Sequence, residues 1–240
     1  MSDIAYTNSS PYDSGEASSS PESALHRPHV LIATAVDAER EAVLRGLGQD
    51  GRFDVVAVGV GPAAAAAYTA RALARHRYGL VISAGIGGGF AGQAAIGSLV
   101  IANAIVAADL GSETPDGFLS VQELGFGTDR IVPDADLSQR WMQALERGGL
   151  SAYHGPILTV STTTGSAESA AFLARRIPGA AAEGMEGFGV ATAAAAYELP
   201  VLEIRAISNA VGPRDRGAWK IKEALEALEA ASSHLLEVLT

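Results

Sequence analysis

Residues 181–197 read AAEGMEGFGVATAAAAY and place two glutamates, Glu183 and Glu186, among three glycines. The alanine-rich segment that follows them contains no charged residue before Glu198, which predicts a buried helix. A carboxylate at the mouth of a buried helix is costly unless hydrogen-bond donors meet it. Two interpretations therefore stay open: an acidic residue of the first helical turn that faces solvent, or a carboxylate that accepts hydrogen bonds from the helix N-terminus or binds a polar ligand.

Short apolar runs alternate with helical patterns over most of the remaining chain. The apolar runs predict strands over residues 30–34, 53–60, 80–83, 99–106, 157–160 and 201–207, and the helical patterns predict helices over residues 36–47, 62–76, 136–147, 166–177, 186–198 and 219–239. Most of the strands are apolar throughout, which suits a sheet that is covered on both faces. The alternation therefore predicts an α/β protein, a three-layer α/β/α sandwich with a mixed, mainly parallel central sheet.

Residues at the helix ends and on the last helix refine this prediction. Pro62 suits the first turn of the second helix, and Ser166 is a candidate N-cap for the fourth. Apolar residues recur at helical spacing in the last helix, so we expect it to cover the sheet with one face, formed by Ile221, Leu225, Leu228, Leu235 and Leu236.

The composition favours a globular protein that binds a small ligand. The 240 residues are 48% hydrophobic and 18% charged, which is enough apolar material for one sizeable core. A balance of 17 basic and 27 acidic residues gives a formal net charge of −10, so we expect neither nucleic acid nor an anionic membrane as a partner. There is no cysteine, and the five histidines lack the spacing of metal ligands, so we expect no metal site.

The N-terminal segment differs from the rest of the chain. Residues 1–27 are rich in serine and have almost nothing to bury, which predicts a disordered N-terminal extension before a single folded domain over residues 28–240. The segment lacks the basic start and apolar middle of a secretory signal, and the chain has no apolar run of 18 residues. We therefore expect a cytoplasmic protein.

Two glycine clusters follow predicted strands. The first, GVGPAA at residues 59–64, fits a dinucleotide-binding fingerprint, but no Asp or Glu occurs between Asp54 and Asp109 to hold a ribose. An oxidoreductase that binds a dinucleotide is therefore disfavoured, and we expect no cofactor. The second, SAGIGGGF at residues 83–90, lacks the GKS or GKT of a phosphate-binding loop. Its glycines predict either a mobile turn or a close approach of the backbone to a ligand.

Polar residues stand at the ends of the first and last predicted strands. Glu39 lies one turn into the helix that follows the first strand, and Ser208 and Asn209 end the last strand. Ligands of parallel α/β sheets bind at the carboxyl ends of the strands. We therefore expect these residues, the second glycine cluster and the helix that begins at Glu186 to meet at one edge of the sheet.

Five motifs in order along the chain resemble the nucleoside phosphorylase and nucleosidase superfamily. They are AVDAE, GVG, SAGIGGG, EGMEG and RAISNAVGPRDRGAW, and the resemblance covers about residues 29–239. It implies a nucleoside phosphorylase-like fold, a nucleosidase-like catalytic domain and a small-molecule nucleoside substrate. Within the superfamily, EGMEGFGVA and ISNAVGPRDRGAW are most similar to the futalosine hydrolases, which act in a menaquinone pathway. Nucleosidases for methylthioadenosine or adenosylhomocysteine usually have Asp where this chain has Asn209.

The resemblance also implies a role for each candidate residue. Glu39 matches the position that holds and deprotonates the attacking water, and Glu186 matches the carboxylate that binds the ribose hydroxyls. Met185 matches a residue that packs on the sugar, whereas Ser208 and Asn209 match the pair that faces the purine.

The second glycine cluster and the arginines complete the implied site. Gly85 and Gly87 would approach the nucleoside, although Ile86 stands where the nucleosidases often have a serine. Apart from the resemblance, Arg214 and Arg216 either belong to an exposed polar loop, or one of them binds a carboxylate of the substrate, because arginine pairs with carboxylates through two hydrogen bonds.

Hydrolysis is favoured over phosphorolysis by what the motifs lack. Family phosphorylases generally carry arginines in the first loop and beside the second glycine cluster, and this chain has neither, although Arg40 could serve. The alternatives that stay open are a methylthioadenosine or adenosylhomocysteine nucleosidase, another purine nucleosidase, and a non-catalytic nucleoside-binding module. Relatives commonly form homodimers or larger homo-oligomers, and Phe126 could reach the pocket of a neighbouring subunit.

Overall fold

The computed structural model describes residues 29–239, so the predicted extension over residues 1–27 lies outside the described residues. Ten strands and six α-helices follow one another along this part of the chain: β1 (Val30–Thr34), α1 (Asp37–Leu47), β2 (Phe53–Ala57), α2 (Pro62–Leu73), β3 (Leu80–Gly89), β4 (Leu99–Ala107), β5 (Gly111–Thr114), β6 (Gly117–Ser120), β7 (Arg130–Ile131), α3 (Ala135–Arg147), β8 (Ala152–Thr159), α4 (Ala167–Arg176), β9 (Ala182–Gly184), α5 (Gly187–Ala196), β10 (Val201–Ala210) and α6 (Ile221–Val238). A short 3₁₀ helix, Arg216–Ala218, precedes α6.

The central sheet is mixed and mainly parallel, as predicted. Strand β1 pairs in parallel with β2 and with β3, and β3 pairs in parallel with β10. Strand β8 pairs in parallel with β4 and with β9. The pairs β4–β10 and β3–β9 are antiparallel. Because β3 pairs with both β9 and β10, the strands β3, β10, β4, β8 and β9 close into a ring. Strands β5 and β6 form a separate hairpin that the sequence patterns did not predict.

Helices cover both faces of the sheet, which confirms the predicted layers. Along β1, Val30 and Ile32 point into a core with α1, α3 and α6, whereas Leu31 and Ala33 point into a second core with α2 and α5. This alternation explains why the strand is apolar at every position. The predicted N-cap of α4 is also confirmed, because the Ser166 side chain accepts a hydrogen bond from the backbone N–H of Ser169.

The last helix buries a different set of residues from the predicted one. Ile221 is 44% exposed because it lies in the first turn, at the border of the core, whereas Leu228 and Leu235 are buried as expected. Small residues, among them Ala224 and Ala231, complete the buried face and let α6 pack closely against its neighbours.

The second glycine cluster is a strand and not a turn. Strand β3 continues to Gly89, paired with β10 on one side and with β9 at its end on the other. A Cβ on Gly85 would lie 2.7 Å from Oε1 of Glu39, and one on Gly87 would lie 2.6 Å from the carbonyl oxygen of Glu183. These two glycines are therefore required by close packing at the edge of the sheet. The sequence pattern alone did not distinguish such a packed strand from a mobile turn.

Candidate active site

A cavity of about 350 Å³ opens at the edge of the sheet where β1, β3, β9 and β10 end. Seven of the predicted site residues line it: Glu39, Gly87, Met185, Glu186, Ser208, Asn209 and Arg214. Gly85 does not line the cavity, because it lies beneath the side chains of Glu39 and Arg205. The expectation that polar strand ends meet at one edge is thus met for residues far apart in the sequence.

Glu39 is held by backbone donors from the turn after β1 and from the second half of β3. Its Oε2 accepts hydrogen bonds from the N–H groups of Ala35 at 2.8 Å and Val36 at 3.2 Å, and its Oε1 accepts one from Ile86 at 2.9 Å. The first two donors belong to the turn that starts α1, so the residue also caps its own helix. Burial raises the pKa of Glu39, although the N–H of Ile86 and the positive charge of Arg205 oppose the shift.

Glu186 faces the protein interior, so the interpretation as a solvent-facing acid at the helix start is wrong. It is 5% exposed and occupies the N-cap position of α5. Oε1 accepts a hydrogen bond from the N–H of Gly61 at 3.2 Å, and Oε2 accepts one from Nη1 of Arg205 at 3.0 Å. The first glycine cluster therefore supplies a donor to this carboxylate, through Gly61 at the start of α2.

Arg205 connects the buried carboxylates beneath the cavity. Besides Glu186, it donates from Nε to Oε1 of Glu203 at 2.9 Å and from Nη2 to Oγ of Ser83 at 3.2 Å. Burial alone would lower the pKa of Arg205, but the surrounding carboxylates of Glu203, Glu186 and Glu39 raise it above its usual value. The guanidinium is therefore a permanent positive charge within this cluster.

Glu203 is fully buried and only partly hydrogen-bonded. Its Oε2 has no hydrogen-bond partner among the described residues, while Oε1 pairs with Arg205. Burial raises the pKa of Glu203 to about 7, despite the opposing charge of Arg205. The sequence patterns assigned no role to this pair, although two charged residues within the otherwise apolar run from Val201 to Ile207 were a signal that could have revealed it.

Ser208 fixes the orientation of the Asn209 amide at the end of β10. The Ser208 hydroxyl donates to Oδ1 of Asn209 at 2.8 Å, and Nδ2 of Asn209 donates to the carbonyl of Ala210 at 3.0 Å. An amide nitrogen carries two hydrogens, so one N–H of Asn209 remains for a ligand. A register shift between Ile207 and Asn209 marks a bulge, a feature that re-aims side chains beside active sites.

Glu183, to which no sequence motif assigns a role, also lines the cavity. It is 6% exposed on the short strand β9. Thr164 holds both of its oxygens, donating from the backbone N–H to Oε1 at 2.9 Å and from Oγ1 to Oε2. Burial raises the pKa of Glu183, and the hydrogen bonds from Thr164 oppose the shift.

The arginines differ in their relation to the cavity. Arg214 lines it beside Trp219, with its guanidinium carbon 5.1 Å from the centre of the indole ring. Arg216 stacks on the same ring at 6.0 Å without lining the cavity. Arg40 is directed to β2, where its Nε donates to the carbonyl of Val55 at 2.9 Å. Of the two arginines predicted to meet a substrate carboxylate, the structure thus brings Arg214 to the cavity.

This arrangement belongs to a known class of protein. The chain is a member of the phosphorylase superfamily, whose family model matches residues 38–240. Membership confirms the resemblance to nucleoside phosphorylases and nucleosidases that the motifs indicate.

Particular relatives are similar over most of their length. The futalosine hydrolase of Streptomyces coelicolor is 53% identical over 88% of this chain and 96% of the relative. The 5′-methylthioadenosine/S-adenosylhomocysteine nucleosidase of Geobacillus thermodenitrificans is 26% identical over 90% of this chain and 92% of the relative. The solved structure of futalosine hydrolase from Helicobacter pylori gives a TM-score of 0.73 over 89% of this chain and 97% of that chain, at 18% identity, which shows a shared fold.

Two structural findings bear on the expected partners. Among residues 29–239, no helix is long and apolar enough to cross a membrane. The same residues contain no group of three or more His, Cys, Asp or Glu side chains that could hold a metal ion.

Proposed function

We propose that this protein hydrolyses the N-glycosidic bond of futalosine and releases hypoxanthine, with dehypoxanthine futalosine as the second product. The observation that carries the proposal is the 53% identity to the futalosine hydrolase of Streptomyces coelicolor over 88% of the chain. The cavity supports it, because it combines carboxylates suited to water activation and sugar binding with an amide suited to a purine base.

Glu39 is the group that holds and deprotonates the attacking water in this proposal. Cleavage of a glycosidic bond passes through a sugar with oxocarbenium character, which water attacks at the anomeric carbon. Three backbone N–H groups fix the Glu39 carboxylate at the cavity wall. Burial raises its pKa, and a base whose pKa is nearer the working pH transfers protons more effectively.

Glu186 binds the ribose hydroxyls in this mechanism, with Met185 packed against the sugar. Arg205 and the N–H of Met185 donate to Oε2 of Glu186, and the N–H of Gly61 donates to Oε1, so the carboxylate is fixed in direction and one lone pair of Oε1 remains for a ribose hydroxyl. Glu39, Glu186 and Glu203 together carry more negative charge when ionised than Arg205 neutralises. A fixed negative field beside the sugar favours the positive charge that develops there in the transition state.

Asn209 faces the departing purine in this mechanism. Negative charge flows into the base as the bond breaks, so a hydrogen bond from the free N–H of Asn209 to O6 or N7 becomes stronger in the transition state. Ser208 holds the amide oxygen and thereby directs the amide nitrogen to the base.

Water is a better co-substrate for this cavity than phosphate. A phosphate dianion in the position of the water would lie against the carboxylates of Glu39 and Glu186, where like charges repel it. Arg40, the arginine that the sequence offered as a phosphate ligand, donates to the backbone of β2. These contacts support hydrolysis over phosphorolysis.

Arg214 is our candidate for the carboxylate of futalosine. It lines the cavity and stacks on Trp219, which restricts the motion of its guanidinium group. A restricted guanidinium binds a carboxylate through two parallel hydrogen bonds. Futalosine should therefore bind more tightly than inosine, which lacks the carboxylate.

A substrate panel tests the proposed reaction. Futalosine, inosine and methylthioadenosine are incubated with the full chain, with and without phosphate, and free base is measured by chromatography. We expect hypoxanthine from futalosine at a rate that does not depend on phosphate. Faster turnover of methylthioadenosine would make the protein an adenine-type nucleosidase, a phosphate requirement would make it a phosphorylase, and binding without free base would indicate a non-catalytic module.

Assembly, location and domain boundary stay predictions. We propose a cytoplasmic homodimer or larger homo-oligomer with one catalytic domain that begins at about residue 28. Phe126 is 80% exposed in the loop after β6, which is consistent with a contact to a second subunit. Light scattering of the wild type and of Phe126→Ser would show whether this side chain supports association.

A further inference from the structure

Glu183, Gly88 and Asn209 stand side by side on three neighbouring strands. Gly88 pairs with Glu183 on β9 and with Asn209 on β10. Paired residues on adjacent strands point to the same face of the sheet, and the strands lie about 4.8 Å apart. The two polar side chains are therefore attached about 10 Å apart, across a residue that has no side chain.

Gly88 places no side chain between the two polar side chains, and its neighbours leave no room for one. A Cβ at this position would lie 2.9 Å from Cγ2 of Val211 and 3.3 Å from Nδ2 of Asn209. All three residues, Glu183, Gly88 and Asn209, line the same cavity. The arrangement is a slot with a backbone floor and one polar side chain on each side.

The two sides of the slot offer opposite hydrogen-bonding groups. Thr164 uses one lone pair on each oxygen of Glu183, so the carboxylate can still accept further hydrogen bonds. Asn209 has its oxygen bound by Ser208 and offers a free N–H. A ligand in the slot therefore meets an acceptor at β9 and a donor at β10.

Purine bases differ in the edge that they would present to these groups. A 6-oxopurine carries a donor, N1–H, beside two acceptors, O6 and N7. A 6-aminopurine instead carries an acceptor at N1 and a donor at the amino group. The acceptor and donor of the slot match the 6-oxo pattern and oppose the 6-amino pattern at the N1 position.

We propose that Glu183 selects a 6-oxopurine leaving group by accepting a hydrogen bond from N1–H, while Asn209 donates to O6 or N7 of the same base. The inference rests on the proposed nucleoside hydrolysis and assigns its base specificity to a second residue. Glu183 is a binding residue in this scheme, since the proton of N1 is not transferred.

A purely structural role for Glu183 makes different predictions. If the carboxylate only tied the segment of Thr164 to β9, its loss would weaken binding of every base to a similar degree. A selective contact with N1–H instead changes the ratio between bases. The ratio of hypoxanthine to adenine affinity is therefore the quantity that separates the two roles.

The substitution Glu183→Gln replaces the hydrogen-bond acceptor that faces the base with a donor. The glutamine oxygen would accept from the Thr164 N–H and its amide nitrogen would donate to the Thr164 hydroxyl, which leaves an N–H directed at N1. We expect the hypoxanthine to adenine affinity ratio of Glu183→Gln, measured by calorimetry with free bases, to fall by about 10- to 100-fold. Glu168→Gln, an exposed glutamate in the first turn of α4, is the matched control and should leave the ratio unchanged.

A methylated base tests the N1 contact in the wild type without any substitution. 1-Methylhypoxanthine retains O6 and N7 but lacks N1–H, so the wild type should bind it at least about tenfold more weakly than hypoxanthine. Glu183→Ala removes the acceptor and should bind both bases about equally. Equal binding of the two bases by the wild type, or an unchanged discrimination in Glu183→Ala, would overturn the proposal.

The same measurements separate this inference from the proposed reaction. If the protein hydrolyses futalosine but its preference between bases does not change when Glu183 is substituted, only the specificity role of Glu183 is refuted. Selective binding of hypoxanthine through Glu183, without release of base from any nucleoside, would instead refute the proposed hydrolysis. Where free bases bind too weakly for calorimetry, the ratio of kcat/KM for inosine and adenosine gives the same comparison.

Discussion

Nη1 of Arg205 donates to Oε2 of Glu186 at 3.0 Å, and the two side chains are only 2% and 7% exposed. The same guanidinium binds Glu203, so one cation serves two buried carboxylates and lies near a third, Glu39. Buried ionised groups are tolerated when charge and hydrogen bonds compensate their lost hydration. The stability of the cavity floor and the direction of its carboxylates thus depend on one residue.

Replacing Arg205 by methionine should therefore destabilise the fold severely. The variant leaves Glu186 and Glu203 buried without a counterion, and breaking such a pair costs roughly 3 to 5 kcal/mol. Urea unfolding measures the loss. Arg45→Met is the matched control, because Arg45 pairs with Glu229 at the surface and such pairs contribute about 1 kcal/mol or less. Equal losses in the two variants would show that the buried cluster is not held by its cation.

Glu203 should make stability depend on pH. Its pKa in the folded protein is about 7, above the ordinary 4.5, so the folded state binds this proton more tightly than the unfolded chain. The contribution of Glu203 to the free energy of unfolding is therefore largest below about pH 4.5 and falls as the pH rises to about 7.

The variant Glu203→Gln does not titrate and isolates this contribution. The difference in free energy of unfolding, variant minus wild type, should rise by up to roughly 3 kcal/mol between pH 4.5 and pH 7, since one pKa unit corresponds to about 1.36 kcal/mol. The raised pKa values of Glu39 and Glu183 act on both proteins and cancel in the difference. Urea unfolding at several pH values gives the two curves, and parallel curves would contradict the assignment.

Gly85 should be needed for activity more than for folding. A Cβ at this position would lie 2.7 Å from Oε1 of Glu39 and 2.9 Å from Nη1 of Arg205, so Gly85→Ala must displace one of these groups. A displacement of about 1 Å at a catalytic group can lower kcat by about 10²-fold, whereas overpacking costs roughly 1 to 3 kcal/mol of stability. Gly51→Ala, with no atom near the new Cβ, should change neither quantity. A folded Gly85→Ala variant with the kcat of the wild type would show that activity does not require a glycine beside Glu39 and Arg205.

The sequence predicted the layers and several site residues for reasons that the structure makes clear. Strand β1 matches the predicted residues 30–34, because the apolar run is long enough to cross the sheet and both of its faces are covered. Glu39 and Asn209 were expected at this edge of the sheet, where they line the cavity, because ligand-binding groups collect at the carboxyl ends of parallel strands.

The missed features depend on contacts between distant parts of the chain. Arg205 and Glu186 are 19 positions apart, and no local pattern reports that they meet. Strand β9 has only three residues, too few for a periodic signal, so the position of Glu183 opposite Gly88 was not predictable. Pairing with two neighbours, and not the propensity of its glycines, determines the second half of β3.

Glu39→Gln should lower kcat and remove the acid limb of the pH profile. Loss of a general base costs about 10²- to 10⁴-fold. The pKa of Glu39 is raised by burial, so wild-type activity should decline as the pH falls through a value above 4.5, where the carboxylate gains its proton. Glu186→Gln should differ from it by also raising KM, because it weakens ribose binding. Near wild-type turnover in Glu39→Gln, with an unchanged melting temperature, would show that another group activates the water.

Together with the groups around it, Asn209 should determine whether the protein cleaves 6-oxo or 6-amino nucleosides faster. Its free N–H can donate to O6 or N7 of hypoxanthine, and the amide group stays neutral at every working pH. An ionised Asp at this position would instead face the lone pairs of O6 without a proton to donate. By analogy with the loss of one oxyanion donor, Asn209→Ala should lower kcat by about 10²- to 10³-fold, or roughly 3 to 4 kcal/mol.

The substitution Asn209→Asp is the sharper test of base recognition. The Ser208 hydroxyl can still donate to the new carboxylate, so the side chain should keep its position while the N–H donor is lost. We expect the ratio of kcat/KM for 6-oxo over 6-amino nucleosides to fall, through loss of futalosine cleavage and gain of some cleavage of adenine nucleosides. Ser208→Ala, which frees the amide to rotate, should lower kcat without reversing the preference. An unchanged ratio in Asn209→Asp would remove Asn209 from base recognition, and with it a principal structural ground for a hypoxanthine leaving group.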